Sequence, residues 1–167
     1  MKHVKILVVY DSGTGNTEKM ARAVAAGAKS AKGVRVAVKR AARTTPKDLL
    51  GADAVIVGSP TYYGLLSAPV KALFDRSVKV HGQLEGKVGA AFASAGGTAT
   101  GAETTILSIL QALLVHGMIV QGRAHDKHYG AASVGAPNRE AVKLCRELGA
   151  RTARLTVALR GATSARA

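Results

Sequence analysis

Apolar residues fall into short blocks set between polar turns, and the blocks are of two kinds. Ile6 to Val9, Asp53-Ala-Val-Ile-Val-Gly58 and Lys87-Val-Gly-Ala-Ala-Phe-Ala-Ser94 are almost unbroken apolar runs, the pattern of parallel strands covered on both faces. Val34 to Val38 alternates like a strand, and Met118-Ile-Val120 reads as a short fifth one. Between these runs the spacing becomes helical. A helix is expected from about Asn16 or Thr17 to Ala31, with Met20, Ala21, Val24, Ala25 and Ala28 inward, ended by Lys32-Gly33. Thr44-Thr-Pro46 opens a short helical turn through Leu50. Leu66 to about Val78 is helical, with Pro69 near its start, where a missing N–H does least harm. Glu103 to His116 and Asn138 to about Leu159 are two further helices. Gln121 to Pro137 reads as a long loop and Gly161 to Ala167 as a frayed, flexible tail.

Strands alternating with helices imply an α/β fold: a doubly wound, five-stranded parallel sheet of order 2-1-3-4-5 with helices on both faces, formed as one domain by residues 1–160. In such a sheet ligands lie outside the carboxyl ends of the strands, where the winding reverses between strands 1 and 3. Three loops, Asp11 to Thr17, Ser59 to Gly64 and Ala95 to Gly101, follow strands 1, 3 and 4 and so gather at that edge.

Composition sharpens this picture at a few points. Hydrophobic residues make up 47% of the chain but aromatics only 4%, so the core must rest on Ala, Val, Leu and Ile, and each aromatic is informative by position. Tyr62, Tyr63 and Tyr129 fall in loops, where a flat ring system as ligand would explain them. The single cysteine, Cys145, excludes an internal disulfide and reads as a packed helix residue; with no cleavable leader or membrane-length apolar stretch, the expected location is the cytoplasm. Lys and Arg number 24 against 10 Asp and Glu, a formal charge of +14. The basic residues are spread along the chain without a nucleic-acid motif or interleaved aromatics. They read as a solvated basic face whose field attracts phosphorylated molecules.

The first loop carries the chemistry. Ser12, Gly13, Thr14, Gly15, Asn16 and Thr17 place two glycines and four small polar residues between a buried strand and a helix start. Glycine lets the backbone approach closely and take positive φ, hydroxyls add donors, and the helix end adds partial positive charge: together a phosphate cradle. The nucleotide pattern Gly-x-x-x-x-Gly-Lys-Ser/Thr is absent, and Gly-x-Gly-x-x-Gly fails because Glu18 stands where the third glycine belongs, which disfavours nucleoside triphosphates and dinucleotide domains.

Val8-Val9-Tyr10-x-Ser12-x-x-Gly15-x-Thr17-x-x-x-Ala21-x-x-Val24 matches the flavodoxin signature at each specified position. Gly58-Ser-Pro-Thr-Tyr-Tyr-Gly64, Ser94-Ala-Gly-Gly-Thr-Ala-Thr-Gly101 and His116-Gly-Met118 resemble the corresponding segments of WrbA-type flavodoxin-like NAD(P)H:quinone oxidoreductases, and the likeness covers nearly the whole chain. The resemblance implies FMN as cofactor, NAD(P)H as co-substrate and a quinone or similar small acceptor as partner. It implies that Ser12 to Thr17 hold the phosphate. The flavin ring would rest on Pro60, Thr61, Tyr62, Tyr63 and Gly64 and on Ser94, Ala95, Gly96, Gly97, Thr98 and Ala99, and His116 would contact the flavin as a catalytic residue. It further implies a homodimer or homotetramer that completes the pocket across an interface. The chain departs from the family in being short, in lacking an insertion after strand 2 and in having no tryptophan.

His116 also reads as a helix cap, because it precedes Gly117 at a helix end where an imidazole meets the negative pole; the family likeness favours flavin contact. His125 and His128 have no third ligand at metal-binding spacing and read as solvated loop residues, so no metal is expected. Three functions stay in view: two-electron transfer from NAD(P)H to a quinone by alternating half-reactions, a one-electron carrier of flavodoxin type, and an FMN-holding or nucleic-acid-binding module without turnover. Carriers of that type are usually acidic, so the +14 charge favours the first.

Overall fold

The computed structural model describes residues 3–164. Strands β1 (Val4–Tyr10), β2 (Val34–Arg40), β3 (Ala54–Pro60), β4 (Val88–Ala95) and β5 (Ile119–Val120) form a parallel sheet in the order β2-β1-β3-β4-β5, as the alternating pattern requires. Every residue of β3 and β4 is buried, which explains their unbroken apolar runs. β1 divides its side chains between two cores. Ile6, Val8 and Tyr10 face helices α1 (Asn16–Lys29) and α5 (Arg139–Ser164); Leu7 and Val9 face α3 (Ala68–Arg76) and α4 (Ala102–Val115). A short α2 (Pro46–Gly51), closed by a Thr45/Asp48 capping box, lies beside the second core.

Two close approaches depend on glycine. A Cβ at Gly58 would lie 2.0 Å from the Phe92 ring, so the one fully buried phenylalanine of β4 occupies space that β3 leaves free. Across α1 and α5, a Cβ at Gly27 would lie 1.9 Å from the Arg146 carbonyl oxygen and one at Gly149 2.0 Å from that of Val24. Backbone therefore rests on backbone at two points along this helix pair.

The expected loop from Gln121 to Pro137 contains a strand. β6 (Ala131–Val134) pairs with Phe92 to Ala95 of β4, beyond the point where β5 has paired with Val88 and Gly89. The outer position of the sheet is therefore shared by two pieces. Ala131-Ala-Ser-Val134 is too short and too small-sided to show an apolar run, yet Ala131 and Ser133 are buried in alternation. Gly130 brings the segment in, since a Cβ there would lie 2.1 Å from the Ala91 carbonyl oxygen. Asn138 caps α5 by accepting from the Ala141 N–H at 2.9 Å, and the helix runs on to Ser164, past its expected end at Leu159. Gly161 to Ser164 are thus helical where a frayed tail is expected; Arg166 and the other residues of 165–167 lie outside the described residues. No described helix is long and apolar enough to cross a membrane.

Candidate functional site

The loops after β1, β3 and β4 meet at the carboxyl edge and are tied to one another. Thr17, at the second position of α1 and 1% exposed, shares a 2.8 Å hydrogen bond between its hydroxyl and that of Ser94. The Thr61 N–H donates to the Ser94 carbonyl at 2.8 Å, and the Thr104 hydroxyl to the Gly64 carbonyl at 2.7 Å. The Tyr62 hydroxyl stands over Gly13, 3.0 Å from where a Cβ would be. Every loop position named from the sequence thus belongs to one of three mutually braced segments.

Within the first loop the Ser12 hydroxyl accepts the Gly15 N–H at 3.0 Å, and Gly15 takes φ 89° with open space on its Cα side. Among the described residues no side chain caps α1, so the N–H groups of its first turn point outward unpartnered by any cap. Gly13 and Thr14 are exposed beside them. This is the geometry of an anion seat.

The second loop turns sharply. Tyr62 and Leu65 exchange both backbone hydrogen bonds, at 3.1 and 3.0 Å, around Tyr63 and Gly64, whose φ values of 52° and 74° are both positive. A two-residue turn of this kind holds Tyr63 fully in solvent at 105% exposure, with Tyr62 at 51%. Thr61 presents a buried hydroxyl without a partner among the described residues. The third loop has Ala99 at φ 56° and Gly101 at φ 98°, and α4 again begins without a side-chain cap among the described residues. Gly96 to Ala99 are a row of small residues in the third loop, at the same edge of the sheet as the exposed Tyr62 and Tyr63.

Arg40 was not expected in this neighbourhood. It ends β2 directly beside Tyr10, lies over that ring at 5.2 Å, donates to the Ser12 carbonyl at 3.2 Å and pairs with Glu18 at 2.7 Å. Glu18 also pairs with Arg22, and these partners hold its carboxyl below the usual glutamate range, Arg22 foremost. The available signal was parallel register: the residue at the end of strand 2 must flank the loop after strand 1.

His116 is not brought to the loops of its own chain. α4 begins at the carboxyl edge and its 14 residues, rising about 1.5 Å each, carry His116 about 21 Å to the amino edge. There it caps α4, and the Gly117 and Met118 N–H groups bond back to Leu114 and Leu113 at 2.9 and 3.1 Å, the reciprocal pattern of a glycine-terminated helix. Its Nε2 lies 2.7 Å from the Ser77 hydroxyl, its Nδ1 has no partner among the described residues, and its ring centroid is 5.9 Å from that of His81. Burial first, and His81 second, hold its pKa below the usual histidine value. Tyr129 stands at the entry of β6, edge-on to His128, and His125 and His128 are exposed. No group of three potential metal ligands occurs among the described residues. Cys145 is buried on the inward face of α5 and its thiol is pushed up by burial to about 12, which keeps it protonated and inert.

The sequence model of the family described as NADPH-dependent FMN reductase matches residues 36–125. A protein of Aquifex aeolicus called flavodoxin is 43% identical over 157 residues, 89% of this chain and 85% of that protein. An NAD(P)H dehydrogenase (quinone) of Archaeoglobus fulgidus is 37% identical, over 89% of this chain and 95% of that one. Among solved structures, a flavodoxin, WrbA-like protein of Agrobacterium tumefaciens superimposes with a TM-score of 0.76 at 25% identity, over 92% and 97% of the two chains. The chain belongs to the flavodoxin-like NADPH-dependent FMN reductase family.

Proposed function

We propose that this protein holds FMN at the carboxyl edge of its sheet and passes electrons, two at a time, from NAD(P)H to a quinone, the two substrates taking turns at one exposed face. The observation that carries this reading is the first turn of α1: uncapped, opened by Gly15 in the left-handed region, and fastened through Thr17 and Ser94 to the loop that would carry the ring. The residues fit the cofactor. N–H groups of the Gly13 to Thr17 turn other than that of Gly15, which the Ser12 hydroxyl accepts, would hold its phosphate with the Thr14 hydroxyl; Tyr62 and Tyr63 would flank the ring, and the Thr61 hydroxyl and the backbone of Ser94 to Ala99 would meet its polar edge. FMN, once bound, supplies a hydride acceptor that can return two electrons. The protein's part is orientation and a positive field that gathers phosphorylated nicotinamides. The family assignment and the quinone dehydrogenase relative support the same activity.

His116 enters this proposal only across an interface. It lies at the base of a groove of about 410 Å³ between α3 and α4, walled by Leu65, Leu66, Phe74 and Val115, with Leu65 58% and Val115 71% exposed. We place a homodimer or homotetramer contact on this face, where one chain's His116 would approach the flavin of another. Light scattering at the monomer mass in fully active protein would remove this part of the proposal. We propose the cytoplasm as the protein's location.

The flavodoxin of Aquifex aeolicus, at 43% identity, supports a second reading, a one-electron carrier without small-molecule turnover. Stopped-flow mixing of FMN-loaded protein with NADH or NADPH, then with benzoquinone, separates the two. Fast loss of flavin absorbance and fast recovery are expected, with rates that fall as salt is added. No bleaching by either nicotinamide, together with two resolved one-electron steps in a chemical titration, would establish the carrier instead.

A further inference from the structure

Most of the surplus positive charge is spread over the surface, but one group of cations gathers around a single half-open cavity. A cavity of about 220 Å³ opens between the 121–130 segment and α5, walled by Arg123, Lys127, Arg151 and Arg154. Glu147 is the one carboxylate among its described walls, and Leu144, Leu148 and Ala131 supply an apolar floor.

The charge in this cavity does not balance. Glu147 is already shared, with Arg123 at 3.1 Å and Lys143 at 3.9 Å, and Lys127 leans on Asp126 at 3.6 Å. Arg151 is half-buried and donates to a neutral acceptor, the Gly122 carbonyl, at 3.1 Å; no described carboxylate lies within ion-pair distance of it. Burial, and then the like charge of Arg123, hold Arg151 below the usual arginine value against the pull of Glu147. Cations gathered over an apolar floor repel one another more strongly than in water, and an anion placed among them reverses the sign of that interaction. Guanidinium groups present paired donors that match the oxygens of an oxyanion.

We propose that this cavity binds a compact oxyanion of the phosphate class, seated among Arg123, Lys127, Arg151 and Arg154 and bridging the 121–130 segment to α5. Its volume is below the range of whole-ligand pockets, so it takes a phosphate or pyrophosphate group and leaves the rest of any larger carrier outside. None of its walls belongs to the three carboxyl-edge loops, and the assignment is independent of the FMN reading.

The test is a residue-resolved amide NMR titration of FMN-saturated protein with inorganic phosphate, with pyrophosphate and glycerol phosphate in parallel arms. Saturable shifts are expected in Arg123 to Gly130 and Leu148 to Arg154, not reproduced by chloride at matched ionic strength. Tighter binding of glycerol phosphate than of phosphate would assign the group to a larger carrier; equal or weaker binding would assign the free anion. The double change R151Q/R154Q should weaken phosphate at least tenfold. Glu147→Gln, which removes the competing carboxylate without removing a cation, should tighten it severalfold, and this opposite sign guards against simple misfolding. Non-saturable shifts, shifts matched by chloride, or affinities unmoved in both variants would overturn the assignment. So would tighter binding of a short oligonucleotide with shifts along the whole exposed face of α5, which would make the cluster part of a nucleic-acid surface.

Discussion

Substituting Gly149 by Ala should be among the most damaging one-methyl changes in this protein, although alanine is the better helix former by about 1 kcal/mol. The added Cβ would lie 2.0 Å from the Val24 carbonyl oxygen and 2.8 Å from the Ala28 nitrogen, where real contacts keep at least 3.0 Å. Neither obstacle is a flexible side-chain tip, so α1 and α5 must part by about 1 Å. A radial gap of that size forfeits roughly a quarter to a half of each dispersion contact it opens, here among Val24, Ala28, Cys145 and Leu148. Overpacking of this kind costs about 1–3 kcal/mol, and contact with backbone places Gly149→Ala towards the upper end, about 2–3 kcal/mol after the helix-propensity gain. Gly27→Ala meets the Arg146 carbonyl at 1.9 Å and should cost a similar amount. The two should not add, because the separation forced by one relieves the other; the double variant should lose little more than either single one. Urea unfolding at equal slope measures all three, with Gly161→Ala, which meets nothing within 4 Å, as a control that is neutral or slightly stabilising. A neutral Gly149→Ala would refute the backbone-to-backbone contact. Full additivity in the double variant would refute the shared displacement.

Thr17→Ala should weaken FMN binding by about 1–3 kcal/mol, since it removes a buried hydroxyl and leaves that of Ser94 without its 2.8 Å partner, whereas Thr17→Ser should bind nearly as the parent does; fluorescence titration decides, and equal affinity in all three proteins would sink the idea. For His116, whose folded pKa is lowered, the unfolded ring takes up a proton first as pH falls. Its contribution is therefore complete above about pH 6.5 and declines as pH drops through that value towards the folded pKa. The urea midpoint of the parent should fall more steeply between pH 7 and pH 5 than that of His116→Asn, and parallel profiles would contradict the burial of a neutral imidazole.

Strands β1, β3 and β4 were legible because helices cover both of their faces, so that nearly every position had to be apolar. Helix α1 was legible because one stripe faces the sheet: Met20, Ala21, Val24, Ala25 and Ala28 are all buried. The three loops were placed by topology alone, once the winding was known. β6 was not legible, since four small residues carry no periodicity and their pairing depends on how closely Gly130 approaches β4. The position of His116 was open to a simple argument from helix length: a residue one full helix after a carboxyl-edge loop must return to the amino edge. From the sequence only a helix cap was weighed against flavin contact, and the motif likeness favoured the contact; within one chain His116 caps α4 beside Ser77. Arg40 was hidden among many scattered cations and is singled out only by the strand beside it.

The divided outer position of the sheet also bears on what its edges offer to another chain. An open sheet edge offers a ladder of free N–H and C=O groups to any passing extended chain. On the β4 side that ladder is cut into a two-residue and a four-residue piece, too short to template much pairing. On the other side β2 is seven residues long and carries Arg35, Lys39 and Arg40; Lys39 is paired with Asp48 and Arg40 with Glu18, so that a second copy approaching edge-on would have to desolvate two ion pairs and the Arg35 guanidinium. One edge is thus shortened and the other lined with charged side chains, features that disfavour pairing through strands and leave helix faces as the route to an ordered assembly.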